Sequence, residues 1–476
     1  MNKLQKRLEL RHINMIALGG SIGTGLFLVS GFSISVGGPG GALLAYCCMA
    51  IIVYFLMTSL AEMSSFKPSA GSFCDYSTQY VGKSFGISMG YNYWLSWASA
   101  IAVEVLAATQ IMEYWFPHIN PFLLTITFFS IIVAANLFMV KVYGEIEYGL
   151  SFVKVSAILL FIVLGFFTLF STPHFGTHNW HIADAPFHNG ITGFAAVFLF
   201  VGLSFQGSEL VGVASEETKN AQTVIPKSIK MIFWRLSLFY ILSILIITLL
   251  IPFNDPKLIS QNNVLTSPFT LVFQHYIGNY AGDVVNFVIL IAVLSAANAS
   301  LYSSSRILWY LGKSKQAPKI FSRIDRNGLP IVALFGTILI SGIFLATSLV
   351  GNKVFQYIVQ ISSLSGFIVW FGIALSHYKF RKNYLPKNNI DVSQLKYKSA
   401  FFPYAPLFSI VIILAVVFGQ IFTVDGNRTD PSLLFITYFS VIAFAVIYTS
   451  HKLYILYINR KKIGSNIDIV SAQNKI

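Results

Sequence analysis

Apolar runs of about 20 residues recur along most of this 476-residue sequence, and they constrain its fold more than any other feature. A helix of that length crosses a hydrocarbon core of roughly 30 Å. Stretches such as residues 158–170 are apolar on every side, unlike the alternating strands of outer-membrane barrels. Charged residues make up only 11% of the chain, against roughly 25% in soluble domains. The sequence therefore predicts an all-α membrane protein.

The apolar runs divide into twelve transmembrane helices, which puts both termini on the same side of the membrane. Residues 1–14 are basic and run directly into the first span, so we expect a cytoplasmic segment and not a cleaved signal peptide. The predicted spans cover residues 15–36, 42–66, 86–116, 122–140, 148–170, 191–214, 233–252, 284–308, 331–350, 354–378, 402–422 and 432–457.

The net charge of +14 does not indicate nucleic-acid binding, because the basic residues fall between apolar spans and not on one soluble face. With the N-terminus inside, 28 of the 32 lysine and arginine residues lie in cytoplasmic segments or at the cytoplasmic ends of spans. Lys257, Lys353 and Arg428 lie outside, and Lys154 lies within the fifth span. The positive-inside rule therefore predicts that both termini are cytoplasmic.

The first span is interrupted by residues 19–25, which read Gly-Gly-Ser-Ile-Gly-Thr-Gly. Each glycine costs roughly 1 kcal/mol relative to alanine in a helix interior. Small residues also allow close packing between membrane helices, so packing is one interpretation. The other is an unwound turn whose freed backbone groups line a cavity or meet a substrate.

The sixth span has a similar interruption at residues 204–209, which read Ser-Phe-Gln-Gly-Ser-Glu. The two breaks are five spans apart, and because five is odd, a repeat of that length is inverted through the membrane plane. One class of secondary transporters has this architecture and binds substrate between the breaks. The expected segments are 1–14, a first repeat at 15–170, a second at 191–378, two further spans at 379–457 and a cytoplasmic tail at 458–476.

Once the ends of the predicted spans are excluded, three ionisable residues remain inside them: Glu104 in the third, Lys154 in the fifth and Glu209 after the sixth-span break. Each costs roughly 2.5–3.5 kcal/mol at a helix centre and is therefore a functional candidate. A structural ion pair is the alternative. Two acids and one base leave a surplus of negative charge, which suits a ligand with an extra positive charge. Glu217 lies near the inner mouth, either as a functional group or as a solvated helix end.

The chemistry of the two breaks suits an α-amino acid. Backbone N–H groups at the first break, with the hydroxyls of Ser21 and Thr24, suit a carboxylate. Carbonyl groups freed by the second break suit an ammonium. A distal ammonium or guanidinium would then meet Glu104 or Glu209.

Several motifs resemble the permeases of the amino acid–polyamine–organocation superfamily, over nearly the whole chain. Its bacterial lysine-specific permease branch is the most similar, through residues 376–381 and 401–403. The other matching stretches are residues 15–27, 37–42, 54–63, 69–73, 90–94, 205–210, 225–226, 267–269 and 294–298.

This resemblance implies a five-plus-five inverted repeat with two additional helices, alternating access, and proton-coupled uptake of an amino acid across a bacterial cytoplasmic membrane. It implies that Phe205 lids the site, that Glu209 serves basic substrates, and that Lys154 stands where sodium-coupled relatives bind their ion. A lysine that only binds freed first-span carbonyls would look identical in sequence. The candidate substrate-binding residues are Ser21, Gly23, Thr24, Gly25, Glu104, Phe205, Gly207, Ser208, Glu209 and Asn298, and the candidate proton-coupling residues are Lys154, Glu209 and Glu217.

Two departures from the lysine branch bear on the substrate. Glu104 stands where aspartate is expected, so its carboxylate reaches about one methylene farther into the cavity. Ala297 and Ala299 flank Asn298 where small Gly and Ser are expected. Lysine is the predicted substrate, with arginine or another amino acid as the alternative.

Three other functions fit the sequence less well. A channel is disfavoured because no pore-loop signature is visible. An enzyme is disfavoured because the one histidine cluster, residues 174–188 with Asp184, lies in an outer connection typical of solvated groups; we expect no metal and no cofactor. An amino-acid sensor would be expected to carry an output domain, or to act through a partner protein. The expected partners are therefore the amino acid, protons and the lipid bilayer, without nucleic acid.

Overall fold

The computed structural model describes residues 19–69, 71–138, 143–213, 221–258, 267–325, 328–347, 354–422 and 431–473. The regular structure in these segments is entirely helical. Eight helices are long and apolar enough to cross a membrane, and three shorter apolar helices accompany them. One of the long helices, Val29–Phe66, contains the outer half of the first predicted span and the whole of the second, so the prediction of an all-α protein with about twelve spans is confirmed.

The first two spans form one helical run that is preceded by a short helix. Among the described residues, three short α-helices lie in the connections: Ser72–Tyr76, Pro268–Tyr276 and Leu385–Lys387. The helices of the spans are, in chain order, Thr24–Phe27 with Val29–Phe66 for spans 1 and 2, Lys83–Glu113 for span 3, Pro121–Phe138 for span 4, Tyr143–Ser171 for span 5, Gly190–Phe205 with Leu210–Val213 for span 6, Ala221–Leu250 for span 7, Asn279–Lys313 for span 8, Ile331–Thr347 for span 9, Val354–Lys379 for span 10, Tyr404–Gly419 for span 11 and Pro431–Gln473 for span 12.

Spans 1 and 2 join at Gly38 without an intervening loop. Gly38 has φ 73° and ψ 173°, and Pro39 follows it. A Cβ atom at Gly38 would lie 2.7 Å from both the backbone N of His188 and the carbonyl oxygen of Pro186. Glycine is therefore required there by its conformation and by the close approach of the segment that precedes span 6.

Span 3 lies at the centre of the helix bundle. It packs against spans 8 and 10, while the helix Val29–Phe66, which holds the outer half of span 1 and span 2, packs against spans 6 and 7. Large buried aromatic side chains fill the space between these helices, among them Trp370, Tyr46, Tyr93 and Tyr240. Span 5 instead presents exposed phenylalanines such as Phe166 and Phe167 on its outer face, as expected for contact with lipid. The centre of the bundle is thus the place to look for a site.

Candidate functional site

The first helix unwinds within its glycine-rich segment. The helical turn ends at Ser21, residues 22–23 form a bend, and a new helix begins at Thr24. The glycines also allow close packing, because a Cβ atom at Gly25 would lie 2.6 Å from Cα of Ser204 in span 6. The two interpretations of this motif, an unwound turn and a close helix contact, therefore both apply.

The sixth span breaks directly opposite the first. Its helix ends at Phe205, Gln206 is extended with φ −62° and ψ 148°, and Gly207 has φ 98°. A Cβ atom at Gly207 would lie 2.9 Å from the carbonyl carbon and oxygen of Gly20. The two breaks are therefore in direct backbone contact.

Glu104 of span 3 binds the start of the helix that follows the first break. Its carboxylate accepts hydrogen bonds from the Thr24 backbone N–H at 3.2 and 3.3 Å and from the Thr24 hydroxyl at 2.6 Å. A Cβ atom at Gly23 would lie 2.6 Å from Oε1 of Glu104, so a glycine is needed for this approach. The structure thus places Glu104 on the donors that the sequence analysis expected to bind a substrate carboxylate.

A polar cavity of about 30 Å³ lies between the two breaks and span 3. This volume is far below the roughly 300–1,000 Å³ of small-molecule sites, so the cavity must widen to admit an amino acid. The Trp97 indole N–H, part of this lining, has no hydrogen-bond partner among the described residues. The lining residues are Gly20, Ser21, Gly23, Gly25, Ser96, Trp97, Ala100, Glu104, Leu203, Gln206 and Ser300.

Four of the predicted substrate residues therefore line the cavity: Ser21, Gly23, Gly25 and Glu104. Sequence reasoning missed Ser96, Trp97 and Ser300, since serines and aromatic residues are common in every span and nothing local distinguishes these.

The predicted residues around the second break lie apart from the cavity lining. The Phe205 ring packs on Tyr240 and Tyr46, with centroids 5.0 and 6.1 Å away. The Ser208 hydroxyl donates to the Phe205 carbonyl oxygen at 3.0 Å. The carboxylate of Glu209 accepts from the Gly207 backbone N–H at 3.2 Å.

Two aromatic side chains complete the surroundings of the Glu209 carboxylate. The Tyr93 hydroxyl donates to it at 3.4 Å, and the Trp370 indole N–H donates at 3.5 Å. Glu209 therefore stabilises the turn at the second break through the Gly207 N–H.

Lys154 and Glu147 form a second buried polar cluster, behind the first break. The Lys154 ammonium donates to the Gly19 carbonyl oxygen at 2.6 Å. Seven residues earlier in span 5, Glu147 accepts from the Ser295 hydroxyl at 2.8 Å. The Asn298 side chain also lies within reach of Glu147, so this predicted substrate residue is placed beside a carboxylate and not in the cavity.

The sequence analysis missed Glu147 because the predicted fifth span began one residue after it. Its spacing from Lys154 is two helical turns, which places both on the same face, and this signal was available in the sequence.

A third buried cluster, also missed, connects span 2 to span 10. The Glu62 carboxylate accepts from Arg381 at 2.5 and 2.6 Å and from the Ser399 backbone N–H at 2.6 Å. The His377 imidazole lies 3.2 Å away. Glu62 stands at the end of an apolar run, where charged residues are usually solvated, so its burial could not be expected from its position in the sequence.

Two remaining candidates do not contribute to these clusters. Glu217 lies outside the described residues. In the outer connection, an exposed Asp184 contacts His188 at 2.6 Å, and this hydrogen bond holds the pKa of the Asp184 carboxyl below its usual range. Within the described segments, no group of three or more His, Cys, Asp or Glu side chains is placed to hold a metal ion.

A helical membrane protein with two facing breaks around a polar cavity has the architecture of a secondary transporter. The fold agrees with that of a crystallised manganese transporter from Eremococcus coleocola, with a TM-score of 0.58 at 12% identity over 97% of this chain and 99% of that one. The amino acid permease family model matches residues 12–462, and the chain belongs to this family.

Characterised relatives extend over nearly the whole chain. The lysine-specific permease LysP of Escherichia coli is 42% identical over 458 residues, covering 94% of each chain. LysP of Lactococcus lactis is 39% identical, covering 94% of this chain and 90% of that one. The histidine permease HisP of Lactococcus lactis is 41% identical over 91% of this chain and 90% of that one. The predicted family is confirmed, and the protein is a permease and not an enzyme.

Proposed function

We propose that this permease imports a cationic amino acid, with lysine preferred, together with protons by alternating access. The proposal places it in the cytoplasmic membrane of a bacterium, with both termini in the cytoplasm. Its similarity to two lysine-specific permeases at 42% and 39% identity supports this substrate. The histidine permease at 41% identity makes histidine the strongest competitor beside arginine.

The observation that carries the proposal is the Glu104 carboxylate on the donors of the first break. A substrate carboxylate entering the cavity needs the same Thr24 N–H and hydroxyl. Two carboxylates that share one site cannot both stay ionised at little cost, so Glu104 takes up a proton as the substrate binds. Substrate entry and proton uptake are then coupled by competition for one set of donors.

The balance of buried charge supports a cationic substrate. Around the two breaks the described residues include three acids, Glu104, Glu147 and Glu209, and one base, Lys154. Buried carboxylates are costly without a compensating cation. With Glu104 protonated, the surplus at the breaks still amounts to one carboxylate, which the extra positive charge of lysine or arginine offsets.

Uptake into proteoliposomes tests the proposal. Radiolabelled lysine should accumulate under an inward proton gradient, and accumulation should stop when a protonophore dissipates the gradient. Each unlabelled amino acid is added in turn as a competitor. Stronger competition by histidine or a neutral amino acid would overturn lysine as the substrate, and binding without saturable uptake would favour a sensor acting through a partner protein.

A further inference from the structure

We propose that Glu147 is the residue through which the symported proton leaves the site towards the cytoplasm. This inference rests on the proposed proton symport and adds a named exit residue to it. It is carried by the burial of Glu147, by its incomplete hydrogen bonding, and by its position relative to Lys154 and the first break.

Glu147 is fully buried in the membrane-spanning part of the protein, with an exposed fraction of 0%. Its Oε1 atom accepts from the Ser295 hydroxyl of span 8. Its Oε2 atom has no hydrogen-bond partner among the residues that the structure describes. A buried carboxylate oxygen without a donor is costly, and a proton on it removes that cost. The environment of Glu147 therefore suits a group that alternates between carboxylate and carboxylic acid.

Few other charged groups face Glu147. Lys154 lies on the same helix as Glu147, and its ammonium binds the carbonyl oxygen of Gly19, the residue that Glu147 also approaches. Ser151, one turn after Glu147 on that helix, is neutral. Span 8 contributes only the neutral side chains Ser295 and Asn298, and span 4 contributes Asn136, which donates to Asn298 at 2.6 Å. Lys154 is thus the cation that lies with Glu147 against the first break.

The order of these groups follows the direction of import. In the predicted orientation span 5 begins on the inner side, and the two turns from Lys154 to Glu147 cover roughly 10 Å towards the cytoplasm. Glu147 also lies against the first break, since a Cβ atom at Gly19 would be 2.6 Å from its Oε1. Any movement of the inner half of span 1 therefore changes the surroundings of Glu147 directly, and it releases the Gly19 carbonyl from Lys154.

The proposed transfer moves one proton and returns each group to its starting state. Lys154 donates a proton to the Glu147 carboxylate and receives one from the Glu104 carboxylic acid, so it remains an ammonium. Glu104 becomes a carboxylate again, ready to bind Thr24. Glu147, now a carboxylic acid, gives its proton to water on the cytoplasmic side and returns to a carboxylate.

The test compares two transport modes of the reconstituted full-length protein. Counterflow exchanges labelled for unlabelled amino acid at equal pH and needs no net proton release, whereas accumulation under a pH gradient needs it. For Glu147→Gln we expect counterflow to be retained and gradient-driven accumulation to fall by about a hundredfold, the scale of a lost proton-transfer group. Glu145→Gln neutralises an exposed carboxylate two residues earlier in the same helix and is the matched control, with accumulation retained.

Unchanged accumulation in Glu147→Gln would overturn the proposal, and so would an equal loss of both modes, which would indicate a positioning role only. If Glu147→Gln does not fold, Glu147→Asp decides: a shifted pH profile of accumulation supports the proposal, and an unchanged profile overturns it. Failure of the proposed function is visible separately, because the wild-type protein would then show no lysine uptake or no effect of the gradient. The Glu147 comparison uses whichever amino acid the wild type exchanges.

Discussion

The Tyr240 hydroxyl donates a 2.9 Å hydrogen bond to the carbonyl oxygen of Ser21, the residue at which the first helix unwinds. This bond satisfies a backbone acceptor that the helix itself no longer serves. Tyr240 also packs against Phe205, so one side chain of span 7 contacts both breaks. Span 7 thus contacts and stabilises both unwound segments through Tyr240.

Removing this hydroxyl should loosen the site. Tyr240→Phe removes the hydrogen bond to the Ser21 carbonyl, and such a bond contributes roughly 0.5–1.5 kcal/mol. We expect a lower unfolding temperature and a raised KM in counterflow. Tyr276→Phe is the control, because it loses a comparable tyrosine–carbonyl bond, to Leu250 at 3.0 Å, far from the breaks. Equal changes in KM for the two variants would contradict a role at the site.

Gly25 should tolerate no side chain. In Gly25→Ala the new Cβ would lie 2.6 Å from backbone of Ser204, so spans 1 and 6 must separate and transport should be lost. Gly149→Ala in span 5 is the matched control, since its Cβ would meet nothing within 4 Å and alanine is favoured in a helix by roughly 1 kcal/mol. Counterflow and thermal unfolding are measured for both. Wild-type transport in Gly25→Ala would refute the close contact between the breaks.

Glu104→Gln should remove the pH dependence of substrate binding. In the wild type, binding takes up a proton on Glu104, so apparent affinity should fall as the pH rises. The glutamine keeps an acceptor for Thr24 but cannot ionise, so its affinity should stay flat with pH. Binding of labelled lysine to the purified protein across a pH series measures this. An equally steep slope in both proteins would place the proton elsewhere.

Breaking the Glu62 cluster should destabilise the protein strongly. Arg381→Ala leaves the Glu62 carboxylate buried without its cation, which costs roughly 3–5 kcal/mol. Lys382→Ala, at the exposed neighbouring position, should change stability by no more than about 0.5 kcal/mol. Thermal unfolding in detergent compares the two. If both variants unfold at the wild-type temperature, the ion pair contributes nothing to stability.

The sequence was sufficient for the family, the all-α fold and the positions of the two breaks. Glycines, prolines and long apolar runs act locally, so their consequences can be inferred from neighbouring residues. Partners across the bundle are different: Thr24 and Glu104 are 80 residues apart, and nothing at either position specifies the other.

The same limit explains the site residues that were missed. Glu147 and Glu62 were treated as helix ends because span boundaries are uncertain by a few residues, whereas the folded protein buries both completely. Glu209 was expected to face the substrate, and the structure instead turns it back onto the Gly207 N–H. Its role in binding basic substrates stays a prediction.

The kink at Gly38 couples the movements of spans 1 and 2. No loop separates the two helices, and the neighbouring Gly40 N–H donates a 2.9 Å hydrogen bond to the Pro186 carbonyl oxygen. The two helices therefore have little freedom to move independently. A tilt of the outer half of span 1 must pull span 2 and the entrance to span 6 along with it. Opening towards the outside is then a concerted movement of the outer half of span 1, span 2 and the segment before span 6. The hinge between the two spans is a single glycine, Gly38.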